Sequence, residues 1–271
     1  MRASFTKMHG LGNDFVVLDG RQQILPAITT AAASRIADRR TGIGCDQIIL
    51  LEPPRDAACD LRMRIINSDG SEVEACGNAS RAVALLVGRA ARVETAGGVV
   101  TVSPDQSGAS VDMGVPRFDW DAIPLAYPMD TLTMPVGWEP LEAPAAVNVG
   151  NPHLVFFVAD VAAVELESLG PLIEHDPLFP ARINVNIAEV VDRGQIRARV
   201  WERGAGLTPA CGTGACAVAV AAMRRGLTER AVTVTVPGGA LAISWGSDDR
   251  ITMSGPAAES FRGEFAWDDF A

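Results

Sequence analysis

The sequence is nearly devoid of lysine: Lys7 is the only one, and arginine supplies the other positive side chains. A cofactor held as a Schiff base, such as pyridoxal phosphate, needs a lysine at the reacting centre. Lys7 lies in an opening segment with strand character, which argues against such a cofactor. We therefore expect no cofactor.

Positive charge and long apolar runs are also scarce. The formal net charge is −10 at pH 7, whereas binding to nucleic acid requires a basic face. No apolar run reaches the roughly 18 residues of a membrane span, and the first residues lack the apolar core of a secretory signal. We expect no nucleic-acid partner, no membrane association and a cytoplasmic location.

The cysteines and histidines follow no disulfide or metal pattern. Five cysteines are an odd number at irregular spacing, unlike the framework of a small secreted protein, and a reducing compartment is the better interpretation. There is no Cys-x-x-Cys pair, and His9, His153 and His175 lack the spacing of metal ligands. No complete Gly-x-Gly-x-x-Gly pattern supports a dinucleotide fold.

What the sequence does contain is an internal repeat centred on two cysteines. Residues 64–84 resemble residues 199–219, so that Cys76 is aligned with Cys211. Upstream, Gly12-Asn13 resembles Gly150-Asn151, and Asp46 is aligned with Asn184. Matching blocks in the same order indicate two related halves of roughly 130 residues each, far longer than a solenoid repeat.

The two cysteines each precede a helical segment with almost no polar stripe, which is typical of a buried helix. Strands are predicted on both sides of these helices, because short β-branched runs alternate with glycine-containing turns. We predict an α+β fold with two pseudo-symmetric halves, each a mixed β-sheet or barrel wrapped around a central buried helix. Residues 1–117, with 262–271 returning to them, are predicted to form the N-terminal half, and residues 118–261 the C-terminal half.

A cysteine at the start of a helix can carry acid–base chemistry. The helix dipole favours the thiolate there and lowers the thiol pKa, and the first backbone N–H groups can hold a carboxylate. Two equivalent thiols suit a reaction that removes a proton from one face of a carbon and returns one to the other. The alternative is a small buried hydrophobe, which we keep for Cys45, Cys59 and Cys216.

Differences between the two copies indicate an asymmetric ligand. Asn67-Ser68 is aligned with Glu202-Arg203. Arg203 can clamp a carboxylate, and Glu202 can pair with an ammonium group. Asparagines offer donors and acceptors, although each can instead be a turn residue. His153 either contacts the substrate-binding side chains without contacting the substrate itself, or is a histidine of the hydrophobic core.

Six motifs together resemble the diaminopimelate epimerase family: MHGLGNDF, GIGCDQIILLEP, NSDGSEVEACGN, NVGNPH, RINVNIAEV and WERGAGLTPACGTGACA. The resemblance covers nearly the whole chain. One departure is visible, since the family often has Gly-Ala after Cys-Gly-Asn, where this chain has Ala79-Ser80.

The resemblance implies epimerisation of L,L-2,6-diaminopimelate to the meso form, without pyridoxal phosphate, in lysine and peptidoglycan biosynthesis. It implies that Cys76 and Cys211 are the acid–base pair and that the protein is a homodimer. The residues implied to contact the substrate are Asn13, Gln47, Asn67, Gly77, Asn78, Asn151, Asn184, Glu202, Arg203, Gly212 and Thr213.

Other functions remain open at this point. The nearest is a related cofactor-independent racemase acting on proline, hydroxyproline or histidine. A non-catalytic amino-acid-binding protein or a phenazine-type isomerase does not need paired thiols. A thiol redox protein leaves the polar ligand set unexplained.

Overall fold

The structure is a computed structural model that describes residues 1–74 and 76–270. The chain folds into two compact units, one formed by Met1–Val111 and Gly255–Ala271 and the other by Asp112–Ser254. The division into halves at residues 117 and 261 stays a prediction. Ala75 and Ala271, which also belong to predicted segments, lie outside the described residues.

The chain consists mostly of β-strands, with few helices between them. The first unit contains, in chain order, β1 (Arg2–Gly10), β2 (Asn13–Asp19), α1 (Thr30–Ala37), β3 (Gln47–Glu52), β4 (Leu61–Asn67), β5 (Glu72–Val73), α2 (Gly77–Val87), β6 (Ala91–Thr95), β7 (Gly98–Asp105) and the first part of β8 (Gly108–Gly114).

The second unit repeats this order after a short two-stranded sheet formed by its first two strands. It contains β9 (Gly137–Trp138), β10 (Leu141–Glu142), β11 (Ala145–Asn148), β12 (Pro152–Phe157), α3 (Leu166–Glu174), β13 (Asn184–Asp192), β14 (Gln195–Glu202), β15 (Gly206–Thr208), α4 (Gly212–Arg224), β16 (Ala231–Val236), β17 (Gly239–Trp245) and most of β18 (Ile251–Gly255). The last strand, β19 (Ala258–Ala266), belongs to the first unit.

Strand pairing is the same in the two units. In the first, β1 and β2 are antiparallel, β2 and β3 parallel, β3 and β4 antiparallel, and β4 is parallel to β6. In the second, β11 to β14 and β16 pair in the same sequence of directions. This duplicated mixed topology confirms the predicted α+β class.

The strand registers correct one part of the sequence alignment. Phe15 is paired with Gln47 on the parallel strands of the first unit, and His153 is paired with Asn184 on those of the second. The structural equivalent of Asn184 is therefore Gln47 and not Asp46. Because successive strand residues point to opposite faces, this shift by one residue changes which side chain faces the site.

Helices α2 and α4 are the buried centres of their units, as predicted. From Gly77 to Ala84 every residue of α2 is buried, and α4 is buried over most of its length. Helix α2 ends at Gly88 in the left-handed conformation, which glycine adopts without strain. The tail returns as β19 and pairs antiparallel with β1. None of the described helices is long and apolar enough to cross a membrane.

Candidate active site

Cys76 is the N-cap residue of α2. Its backbone is extended, and its Sγ accepts the Ala79 N–H at 3.5 Å. The N-cap position requires a side chain that accepts a bond from one of the first helical N–H groups. The thiol therefore takes the place that serine or aspartate usually occupies, and it lies at the positive end of the helix dipole.

Two predicted asparagines meet at Cys76. The thiol donates to Asn13 Oδ1 at 3.8 Å, and Asn78 Nδ2 donates to the same oxygen at 3.2 Å. The Asn13 Nδ2 donates in turn to Asp46 Oδ2 at 2.9 Å. The Asn13 carbonyl is therefore turned toward the thiol because its amide hydrogen is held by a carboxylate on the other side.

Gln47 and Asn67 form a second polar pair in the same unit. Gln47 Nε2 donates to Asn67 Oδ1 at 3.0 Å, and Asn67 Nδ2 donates to Ser71 Oγ at 3.1 Å. Gln47 Oε1 is buried and has no hydrogen-bond partner within the described part of the chain. A ligand with an N–H group could satisfy that oxygen, which is consistent with the implied role of Gln47.

A charged network lies behind Asn13 and was missed from the sequence. The buried Lys7 donates to Asp14 Oδ2 at 2.5 Å and also to the Gly44 carbonyl. Arg39 bridges Asp14 and Asp46, with Nη2 at 2.7 Å from each carboxylate. Burial opposes ionisation of Asp14, but the bonds from Arg39 and Lys7 outweigh it and hold the pKa of Asp14 well below its ordinary value.

Arg81 is a further residue that sequence reasoning missed. Its side chain is fully buried, and Nη2 donates to Asn78 Oδ1 at 2.8 Å. This bond leaves the Asn78 amide nitrogen pointing toward Asn13. An arginine directly before the apolar run from Ala82 to Val87 is the signal that could have identified it.

Cys211 occupies the equivalent position at the start of α4. It is the N-cap residue, and its Sγ accepts the Gly214 N–H at 3.3 Å and lies 3.4 Å from Thr213 Oγ1. The Glu202 carboxylate is near enough for its charge to raise the pKa of this thiol. Glu202 Oε1 accepts a hydrogen bond from Thr208 Oγ1 at 2.5 Å.

The electrostatics of Cys211 contradict the lowered pKa expected from the sequence. Burial raises the pKa of the Cys211 thiol well above its ordinary value, and the neighbouring Glu202 charge raises it further. The bonds from Thr213 and Gly214 act in the opposite direction but are weaker. Burial also raises the pKa of Glu202. Cys211 is therefore a protonated thiol at neutral pH.

Asn184 and Arg203 are joined through the backbone. Asn184 Oδ1 accepts the Arg203 N–H at 2.9 Å, and Asn184 Nδ2 donates to the Pro152 carbonyl at 2.8 Å. The exposed Arg203 side chain donates from Nη1 to the Ala181 carbonyl at 3.0 Å. Asn184 thus holds the chain beside the arginine, and its direct contact with substrate stays a prediction.

Asn151 and His153 also meet in the second unit. His153 is fully buried, and its Nε2 lies 2.8 Å from Asn151 Oδ1. Its Nδ1 lies 3.2 Å from Nδ2 of Asn186, which is itself fully buried and was not predicted. Burial lowers the pKa of His153 to about 3. His153 therefore contacts the predicted site residue Asn151 and remains neutral.

Some of the predicted side chains lie beside the cysteine of their own unit, whereas Gln47, Asn67, Asn151 and Asn184 bond to other residues. Asn13 contacts Cys76 and Asn78 donates to Asn13, whereas Thr213 contacts Cys211 and the charge of Glu202 acts on it. Gly77 and Gly212 are the first residues of their helices. Among the described residues, no group of three histidine, cysteine or acidic side chains is placed to hold a metal ion.

Comparison with known proteins identifies the family. The profile described as diaminopimelate epimerase matches residues 5–118 and 145–259. The chain belongs to the diaminopimelate epimerase family. This finding confirms the resemblance that the sequence motifs indicated.

Similar proteins span the whole chain. A diaminopimelate epimerase of Erythrobacter litoralis is 68% identical over 271 residues and covers 100% of both chains. Another, of Rhizorhabdus wittichii, is 61% identical and covers 97% of this chain and 96% of that protein. Among solved structures, a hydroxyproline epimerase from Agrobacterium vitis has a TM-score of 0.68 at 15% identity, covering 97% of this chain and 92% of that one. The last comparison shows a shared fold.

Proposed function

We propose that the protein epimerises L,L-2,6-diaminopimelate to meso-diaminopimelate by two-base proton transfer between Cys76 and Cys211, with no cofactor. The observation that carries the proposal is that each cysteine is the N-cap residue of the buried helix at the equivalent position of its unit. Family membership supplies the substrate.

The reaction needs one thiolate and one thiol in each turnover. One sulfur removes the α-proton, and the other delivers a proton to the opposite face, so that the configuration of one carbon is inverted. The carbanion formed next to a carboxylate is costly, and backbone N–H groups at helix N-termini stabilise such charge. The first N–H groups of α2 and α4 are suited to this role.

Cys211 enters the reaction as the acid when the thiol is protonated. The high pKa of this thiol, caused by burial and by Glu202, supports that assignment. Once the proton has left, Cys211 is a strong base for the reverse direction. Glu202 would keep this proton on the sulfur until the carbanion forms, because its charge opposes formation of the thiolate.

The remaining polar residues would select the substrate. Arg203 would bind the carboxylate of the amino-acid centre that does not react, and asparagines of both units would bind its amino and carboxylate groups. The product would serve lysine and peptidoglycan biosynthesis. The same proposal includes a cytoplasmic homodimer.

A related racemase of proline or hydroxyproline type is the alternative. The hydroxyproline epimerase shares the fold at 15% identity, whereas the diaminopimelate epimerases share more than half of the residues of this chain. A second charged amino-acid end on the substrate also accounts for Arg203, which a small monocarboxylate would not.

The direct test is chiral chromatography of purified protein incubated with L,L-diaminopimelate, with L-proline and trans-4-hydroxy-L-proline as competing substrates. We expect meso-diaminopimelate to form and the other two compounds to remain unchanged. Cys76→Ala and Cys211→Ala should each abolish the reaction, while Cys59→Ala should leave it intact. Turnover of proline or hydroxyproline, or no turnover of diaminopimelate, would refute the proposed function.

A further inference from the structure

His153 and Asn186 form a buried polar pair that has no counterpart in the other unit. Both side chains are fully buried, on the neighbouring strands β12 and β13. The strand registers place Phe15 and Ile49 at the equivalent positions of the first unit. An apolar pair is therefore compatible with the fold at these positions. The fold alone does not explain why the second unit has a polar pair.

The pair carries an energetic cost. Asn186 Oδ1 is buried and has no hydrogen-bond partner within the described residues. It lies beneath Gly214, where an added Cβ would come within 2.8 Å of this oxygen. An unsatisfied buried acceptor typically costs about 1–3 kcal/mol. Because the Asn186 oxygen is unfavourable at this position, the benefit of the residue must come from its NH2 group, which donates hydrogen bonds.

The direction of each hydrogen bond follows from one backbone carbonyl. The Leu154 carbonyl can only accept, so the group 2.8 Å from it is the Asn186 amide nitrogen. The same nitrogen lies 3.2 Å from His153 Nδ1, which must then be the unprotonated ring nitrogen. A neutral imidazole carries its single proton on the other nitrogen, Nε2.

That proton fixes the orientation of Asn151. Nε2 is 2.8 Å from the Asn151 side chain and donates, so the atom it meets is the carbonyl oxygen Oδ1. The Asn151 NH2 group is then turned away from His153 and has no hydrogen-bond partner within residues 1–74 and 76–270. The equivalent Asn13 is held in the opposite sense, with its NH2 on Asp46 and its oxygen toward Cys76.

We propose that His153 and Asn186 are positioning residues that lock the Asn151 amide with its NH2 group available as a donor to a substrate carboxylate. The two equivalent asparagines thereby present opposite ends of their side-chain amides. Asn13 presents its oxygen as an acceptor, and Asn151 presents its NH2 group as a donor. The inference rests on the proposed function for the identity of the ligand. His153 itself transfers no proton to or from the substrate.

The first test reads the histidine directly and needs no turnover. The chain has three histidines, so ¹⁵N NMR of the imidazole nitrogens can be assigned with His9 and His175 variants. We expect His153 to remain neutral with the proton on Nε2 from about pH 5.5 to about pH 8.5. In Asn186→Val the preference for this tautomer should weaken. A protonated ring, or a proton on Nδ1 in the wild type, would overturn the proposal.

The second test is a double-mutant cycle with Asn151. Asn186→Val removes the donor, and we expect it to lower kcat/KM about tenfold. In an Asn151→Ala background the same change should cost less than about twofold, because the residue through which it acts is gone. Ile187→Val on the same strand is the matched control and should change kcat/KM by less than about twofold in either background.

A purely structural role predicts a different result. An equal loss from Asn186→Val with and without Asn151 would overturn the proposal. If Asn186→Val does not fold, His153→Phe and His153→Gln give the same comparison: glutamine can still donate to Asn151 and should restore activity that phenylalanine loses. Equal activity of these two variants would also refute the inference. Wild-type turnover of diaminopimelate is measured first, so failure of the proposed function is recognised separately.

Discussion

The charge of the Glu202 carboxylate raises the pKa of the Cys211 thiol and helps to keep that thiol protonated. Glu202 corresponds to Asn67 in the first unit, since β4 and β14 occupy equivalent places. The two cysteines therefore have similar helix positions and different neighbours. The residue at this strand position is a neutral amide in the first unit and an acid in the second.

We expect Glu202→Gln to make Cys211 easier to alkylate. Burial and the Glu202 charge both raise the pKa of Cys211, so removing the charge should move the pH midpoint of alkylation to a lower value. Iodoacetamide labelling of the Cys211 peptide, followed by mass spectrometry across pH, measures this. Glu165→Gln, an exposed change in the same unit, is the control. An unchanged or higher midpoint in Glu202→Gln would contradict the account.

Asp14→Asn should destabilise the protein by about 3 kcal/mol at pH 7, because it leaves the buried Lys7 without its carboxylate partner. The exposed pair of Arg2 and Glu264 provides the control, Glu264→Gln, for which we expect less than about 1 kcal/mol. Urea unfolding measures both.

The pH dependence of the Asp14 effect has a definite sign. The pKa of Asp14 is lowered in the folded state, so its contribution is fully present above the unfolded pKa of about 4 and decreases as the pH falls below it. The stability difference between wild type and Asp14→Asn should therefore narrow below about pH 4. A difference that stays constant or grows in acid would show that another property of the side chain is responsible.

Gly214→Ala should lower stability although alanine favours helices. A Cβ at this position would meet Asn186 Oδ1 at 2.8 Å and Val200 Cγ2 at 2.9 Å. Overpacking of this kind costs about 1–3 kcal/mol, which exceeds the gain of about 1 kcal/mol in helix propensity. Thermal unfolding should show a decrease in Tm of a few degrees. A Tm equal to or above that of the wild type would mean that Asn186 and Val200 can shift to accommodate the added methyl group without loss of stability.

Arg203→Met should lower kcat/KM by about two to three orders of magnitude, because a charge-assisted pair with the distal carboxylate is lost. The arginine is exposed, so Tm should hardly change. Arg197→Met, on the strand that leads to Arg203 and paired with Glu189, is the control and should retain kcat/KM within about twofold. Normal turnover by Arg203→Met would show that another residue binds the distal group.

Local patterns of the sequence predicted the repeated arrangement of strands around a buried helix. The Cys-Gly turn before an apolar run identified both buried helices, and the alternation of short strands with glycine turns identified the sheet. The alignment of Asp46 with Asn184 was wrong by one residue, because strand register depends on pairing across the sheet. A sequence alone does not contain that pairing.

Features that depend on tertiary burial could not be predicted. The helix dipole suggested a lowered pKa for Cys211, but burial and Glu202 outweigh it, and both depend on how β14 packs against α4. The link from Asn186 through His153 to Asn151 likewise joins residues on two strands that are distant in sequence. An asparagine within the apolar run of β13 was the available signal.

The central claim is that two thiols act on opposite faces of one carbon. The most direct test is the reaction of L,L-diaminopimelate in D₂O, with mass analysis of product and remaining substrate at low conversion. The account predicts that the meso product carries deuterium at the inverted carbon while recovered substrate carries none. Deuterium entering recovered substrate as fast as product forms would indicate a single base and contradict the account.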